Sequence, residues 1–272
     1  MGILLCASLC GVARAVTYEV GSGKALSKIG DVPWESLEAG DVVLIHWRAE
    51  PYREKWVICR KGTAAQPIIV RGVPGPNGEL PVIDGRDAVT RKQLDYWSGS
   101  RSILKIGGAQ VPADTMPEHI LVERLEIRSG RPPYQFKGRN GPQSYDKNAS
   151  AIFLEKGEHI VIRGCVFRDC GNGFFSSFQS KDVLVEECRI FDNGIEGSIY
   201  EHNSYTAAQG IVFQYNEYGP LRKDCGGNNL KDRSAGLVVR YNSITGGNRQ
   251  LDLVDAEDSP TLRDDPLYRR TL

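Results

Sequence analysis

The stretch Ile120-Leu-Val-Glu-Arg-Leu125-Glu-Ile127 recurs without gaps as Ile160-Val-Ile-Arg-Gly-Cys165-Val-Phe167, Val183-Leu-Val-Glu-Glu-Cys188-Arg-Ile190, Ile211-Val-Phe-Gln-Tyr-Asn216-Glu-Tyr218 and Leu237-Val-Val-Arg-Tyr-Asn242-Ser-Ile244. Successive starts lie 40, 23, 28 and 26 residues apart. The first, third, sixth and eighth positions form the inward set, so alternation with period two breaks once, as it does when two short strands meet at a bend. Periods of this length with strands and no helical stretch predict an all-β parallel β-helix, in which each rung pairs with the rungs above and below. Leu125, Cys165, Cys188, Asn216 and Asn242 then form one internal column. Asparagine at such a bend satisfies turn amides through its side chain.

Earlier apolar runs extend the coil to about eight rungs: Val42 to Ile45, Ile68 to Val70, Val82 to Ile83 and Ile103 to Ile106. A small helix is expected over Trp34 to Ala39, near the N-terminal opening. Gly130 to Asn148, rich in Gly, Pro, Tyr and Lys, reads as a loop leaving the solenoid, of the kind that walls a groove. After Val254 the repeat stops, and residues 256–272 read as an irregular tail. That leaves three possibilities: the tail folds back, the solenoid is incomplete at this end, or it pairs with another copy.

The 272 residues carry 34 Lys plus Arg against 34 Asp plus Glu, so no global charge recruits nucleic acid, and 40% hydrophobic content is ordinary for a globular chain. Ile3 to Val12 is apolar but too short to span a bilayer and leads into Ala13-Arg14-Ala15, which predicts an export signal over residues 1–15 and a β-helix over 16–255. No later segment reads as a membrane anchor. The expectation is a secreted or periplasmic monomer. Five cysteines remain after the signal, an odd number, and their spacing does not suggest zinc.

Polar turn residues crowd between Glu201 and Asp255. A β-helix face lines up side chains from successive rungs, which suits a linear polymer, and arginine forks suit an anionic one. Asn228-Asn-Leu-Lys231-Asp-Arg233-Ser234, then Arg240-Tyr-Asn242, then Gly247-Asn-Arg249-Gln-Leu-Asp252-Leu-Val254 resembles the alginate lyase and chondroitinase B type of polysaccharide lyase. That family carries Asn-Lys-Ser, Arg-aromatic-Asn and Gly-x-Leu-x-Leu-Arg across two adjacent rungs. The match covers about thirty residues. It puts Arg233 at the family's base, with Lys231 two residues earlier, and Val254 where the family has a catalytic Arg.

The resemblance implies a right-handed, pectin lyase-like solenoid that cleaves a uronate-containing polysaccharide by β-elimination. Lys231 is the candidate base, with Arg233 as the poorer choice because arginine scarcely deprotonates. Like charge from Arg233 and Arg222 would favour the free amine of Lys231. His202 or Tyr205 is the candidate proton donor. Arg222, Asn228, Asn229, Arg249 and Asp252 are candidates for holding substrate. No cofactor is expected; Asp252, Asp255 and Asp224 leave calcium open. Each residue also has a plain reading: Lys231 as a solvated ion pair with Asp232 or Asp224, Arg240 as part of a charge ladder, and His202 as a structural loop histidine. Two other functions compete. One is hydrolysis of a pectin-like polymer by a carboxylate pair such as Asp169 and Asp192. The other is non-catalytic sugar binding by Tyr205, Tyr215, Tyr218 and Tyr241.

Overall fold

The break in alternation is one left-handed residue per rung. The fifth residue of each repeat has positive φ: Arg124 (56°), Gly164 (59°), Glu187 (56°), Tyr215 (56°) and Tyr241 (57°). A single residue in that region turns the chain and returns the next side chain to the interior. Two further corners are built the same way, one through His119, His159 and Asp182, the other through Ser129, Asp169 and Asp192. Three corners per turn give three faces.

The structure, a computed structural model, describes residues 15–270. Of the expected export segment, all but Ala15 lies outside them, with Cys6 and Cys10. The first face stacks Thr17–Val20, Val42–His46, Ile68–Val73, Glu118–Glu123, the second halves of Ser150–Arg163 and Asn172–Glu186, Gln209–Gln214 and Ala235–Arg240, all in parallel. That makes eight rungs among the described residues, wound as a right-handed parallel β-helix. The second face runs from Val82–Asp84 through Glu126–Arg128, Val166–Arg168, Arg189–Ile190 and Glu217–Tyr218 to Ser243–Ile244. The third comprises Glu54–Ile58, Ser102–Ile106, the first halves of the two long strands, Ser204–Thr206, Leu230–Asp232 and Leu251–Leu253.

The repeat register holds: Ile120, Ile160, Val183, Ile211 and Leu237 are partners in sequence. All five are buried, and each such side chain contributes about 1.5–3 kcal/mol by leaving water. The asparagine column works as expected. Asn216 accepts from the Cys188 amide (2.9 Å) and donates to the Val185 carbonyl (2.9 Å), while Asn242 accepts from the Asn216 amide (2.9 Å). A second column was not legible in the repeat: Asn193 donates to Asn203 (2.9 Å), Asn203 to Asn229 (2.6 Å), and Asn229 to the Gly246 carbonyl (2.7 Å). Its members follow loops of unequal length, which hides their equivalence. Cys59, Cys165, Cys170, Cys188 and Cys225 are all free.

The ends depart from expectation. The N-terminal helical turn is Ile29–Asp31, a short 3-10 turn, and not Trp34 to Ala39; Trp34 turns inward and stacks on Trp56 at 5.6 Å. The tail is not wholly irregular. Ser259 caps a helix over Pro260–Arg263, which buries Leu262 beside Ala235 and Ala256. The Leu267 carbonyl accepts from the Gly236 amide (3.0 Å), so the tail folds back over the last rung. The Gly130 to Asn148 excursion contains an antiparallel hairpin, Gln135–Gly138 with Gly141–Ser144, which meets the loop from Leu94 to Ser100 around a cavity of about 280 Å³. Among the described residues no helix is long and apolar enough to cross a membrane.

Candidate active site on the third face

Strand alternation sends one outward column up the third face: Lys105, Phe153, Phe175, Tyr205, Lys231 and Asp252, in direct register. The rings follow one another along the face as a floor, Phe153 tilted 59° against Phe175 at 5.1 Å and Tyr205 edge-on to Phe175 at 5.5 Å. The Lys231 ammonium lies 5.2 Å from the Tyr205 ring. The Arg101 guanidinium lies 5.0 and 4.8 Å from the Phe153 and Phe175 rings. Among the described residues neither cation forms an ion pair, which sets aside the pairing of Lys231 with Asp232 or Asp224. Lys105, by contrast, is wholly buried under Trp97 and paired with Glu155 (2.8 Å), so the groove opens only above it.

Along one edge of this floor run the turns that enter the upper strands. His202 is buried, with its Nδ1 accepting the Asn228 amide (2.9 Å) and its ring set edge-on to Tyr205 at 5.4 Å. That bond puts the neutral ring's proton on Nε2, which has no partner. Burial, helped by the Lys231 charge, pushes the His202 pKa down to about 4, so the ring is neutral near pH 7. Asn228 donates to Asp252 (2.7 Å), which also receives Arg249 (3.0 Å), while the Asn228 Oδ1 and Glu201 Oε2 atoms are buried without partners. Unpartnered buried polar atoms are costly, and the His202 Nε2 is one that lies against Tyr205. On the opposite edge Arg233 lies 5.8 Å from the Tyr205 ring, its guanidinium bonded to the Asp255 carbonyl (3.2 Å).

The structure therefore gathers Lys231, Arg233, His202, Tyr205, Asn228, Arg249 and Asp252, but not two other candidates. Arg222 is held at the corner between the second and third faces by Asp169 (2.8 Å), the Gly194 carbonyl (2.9 Å) and the Asp192 carbonyl (3.0 Å), and does not flank Lys231. Asn229 is wholly buried in the second asparagine column, so it has no free amide for substrate. Asp169 is occupied by Arg131, Arg222 and Ser129: burial would raise its pKa, but these bonds hold it below the ordinary aspartate value. It is thus not a free member of a hydrolytic pair. Tyr218 points inside, bonded to Ser204 (3.0 Å), and Tyr215 and Tyr241 stack on each other at the corner between the first two faces. Arg240 lies on the first face, bonded to Gln214 (2.8 Å).

Asp252 and Asp255 have separate partners, the latter being Tyr268 and Arg269, and Asp224 is exposed, so these three do not form a calcium cradle. Among the described residues the ligating side chains that do converge are Glu158, His159 and Asp182, at another corner, with Glu158 already paired to Lys181 (2.9 Å). Arg101, Phe153, Phe175 and Glu201 were not anticipated. A signal existed for the rings: Ser150-Ala-Ile-Phe153, Asn172-Gly-Phe-Phe175, His202-Asn-Ser-Tyr205 and Asn228-Asn-Leu-Lys231 form a second repeat ending on the outward column. Arg101 ends a 3-10 turn, Gly99–Arg101, just before the strand Ser102–Ile106, and carries no such signal.

Residues 140–264 match the family described as the right handed beta helix region. No curated protein matches the sequence. Among solved structures, an alginate lyase from Paenibacillus sp. str. FPU-7 is 13% identical, with 89% of this chain covering 75% of that one at a TM-score of 0.57. A GH136 lacto-N-biosidase from Eubacterium ramulus is also 13% identical (88% of this chain, 52% of that one, TM-score 0.45). A pectin methylesterase from Erwinia chrysanthemi is 15% identical (84% and 65%, TM-score 0.40). The chain is thus a right-handed parallel β-helix, the fold of carbohydrate-active proteins that include an alginate lyase.

Proposed function

We propose that this chain degrades an anionic, uronate-containing polysaccharide by β-elimination in the groove of the third face, as a secreted or periplasmic monomer. The observation that carries the reading is the pair of cations, Arg101 and Lys231, that lack ion-pair partners among the described residues and lie over the column of rings Phe153, Phe175 and Tyr205, with the unpartnered Nε2 of His202 beside Tyr205. Rings accept the C–H faces of sugars, and Arg101, a cation without a carboxylate partner among the described residues, accepts the uronate charge. The alginate lyase of like fold supports the substrate class.

In this scheme Arg101, with the Nε2–H of neutral His202, neutralises the uronate carboxylate and so acidifies the adjacent carbon. Lys231, once its ammonium has released a proton to solvent, takes the proton from that carbon. The electron pair of the C–H bond forms the ring double bond, the bond from the neighbouring ring carbon to the glycosidic oxygen breaks, and Tyr205 gives that oxygen its proton. The products are one unsaturated sugar end and one new reducing end. Side chains carry the charge neutralisation, so turnover is expected to survive a chelator.

The test is incubation with alginate, pectate and glycosaminoglycans, reading ultraviolet absorbance of the conjugated product together with new reducing ends. Both signals support elimination. New ends alone mean hydrolysis, and binding without either means a non-catalytic protein. Full activity of Lys231→Ala would remove Lys231 from the chemistry.

A further inference from the structure

The floor of the groove does not end at Tyr205. Phe175 and Tyr205 also form one side of a cavity of about 210 Å³ that opens between the third face and the folded-back tail. Its other walls include Phe178, Ala207 and Leu262, with Ser176, Ser177 and Ser259, whose hydroxyls are bonded to Ala207, Glu155 and Leu262 of the chain. Phe178 is 42% exposed, a large ring left half uncovered at the mouth, while Leu262 is fully buried and holds the tail in place. The rim carries Arg233, whose Nε is buried and has no hydrogen-bond partner, and Asp258, 3.8 Å from the same guanidinium.

These features select a ligand chemistry. A bare pyranose is ringed with hydroxyls, and a cavity with apolar walls on several sides would strand them. A second carboxylate is disfavoured because Asp258 already supplies negative charge beside Arg233. What fits is a neutral group with one acceptor oxygen and an apolar end, close enough to the groove to belong to the same sugar chain. We propose that the cavity is a subsite for an O-acetyl group on the polysaccharide, its carbonyl accepting from Arg233 Nε–H and its methyl lying among Phe178, Leu262 and Tyr205. The substrate class is thereby narrowed to an O-acetylated uronan. This rests on the polysaccharide reading above and deepens it.

The test takes the uronan that the protein turns over or binds best and compares it with the same polymer after chemical O-acetylation, measuring kcat/KM and equilibrium binding with wild type and with Phe178→Ala. A methyl burial plus one hydrogen bond corresponds to about a tenfold preference for the acetylated polymer. Phe178→Ala, at a half-exposed position, should keep the wild-type circular dichroism and lower that preference to about threefold or less. Equal use of both polymers by wild type, or a preference that Phe178→Ala leaves unchanged, overturns the acetyl subsite while leaving the uronan reading intact. Failure to bind or cleave any uronan overturns both.

Discussion

The first and third faces share one backbone geometry and one stacking register, yet their outward columns do opposite things. On the first face Arg71, Glu123, Arg163, Glu186, Gln214 and Arg240 stand in register. They satisfy one another: Arg163 holds Glu186 (2.6 Å), Gln214 donates to Glu186 (2.7 Å), and Arg240 to Gln214 (2.8 Å). On the third face the equivalent column is aromatic at its centre, Phe153, Phe175 and Tyr205, and Lys231 next to Tyr205 has no counter-ion among the described residues. One column is closed to ligands by its own chemistry and the other is left open. The difference lies in the alternate residues of the strands and not in the fold, and on the proposed reading the binding face is the ladder left unneutralised.

The largest effect expected from this contrast is on turnover. Lys231→Ala should lower kcat by about 10²–10⁴-fold, the usual range for a proton-transferring side chain, with polymer binding and circular dichroism retained. Arg163→Ala on the closed face should leave kcat within twofold. Next comes the interior both faces share. Asn216→Ala leaves buried amide and carbonyl groups unpartnered in two rungs and should cost about 2–4 kcal/mol in urea unfolding.

His202 supplies a pH signature of similar size. Its folded pKa of about 4 lies below the ordinary 6.5, so the stability tied to its neutral form is complete above pH 6.5 and is lost as pH falls towards 4. The loss is on the order of 3 kcal/mol by linkage. Urea midpoints for wild type should fall across that window, and those of His202→Asn should fall less; parallel slopes would take His202 out of the account. The smallest effect sharpens the comparison most. Arg101→Gln should weaken uronan binding by about tenfold and reduce its salt dependence, whereas Arg163→Gln should change neither.

Much of the fold was legible because the interior is repetitive. Ile120, Ile160, Val183, Ile211 and Leu237 must stack on one another, so their spacing could be read directly, and the left-handed residue at Tyr215 or Tyr241 explains why the spacing breaks where it does. The site was less legible because it is assembled from the irregular parts. Lys231, Tyr205 and His202 were reached through their crowding in the sequence. Arg101 arrives from a 3-10 turn about a hundred residues upstream of His202 in a different rung. Arg222 and Asn229 had the right chemistry in the right stretch, but a corner turn directs one to Asp169 and an internal column claims the other. Proximity in sequence names the rung; it does not say which of three sides a turn residue will face.

The folded-back tail performs two jobs with one segment. It shields the edge of the strand Ala235–Arg240, where the Leu267 carbonyl meets the Gly236 amide, and it supplies Leu262 to the wall beside Tyr205. A protease that clipped the chain near Asp258 would therefore uncover an adhesive strand margin and, on the proposed reading, dismantle the acetyl subsite in one cut, tying self-association to loss of ligand discrimination.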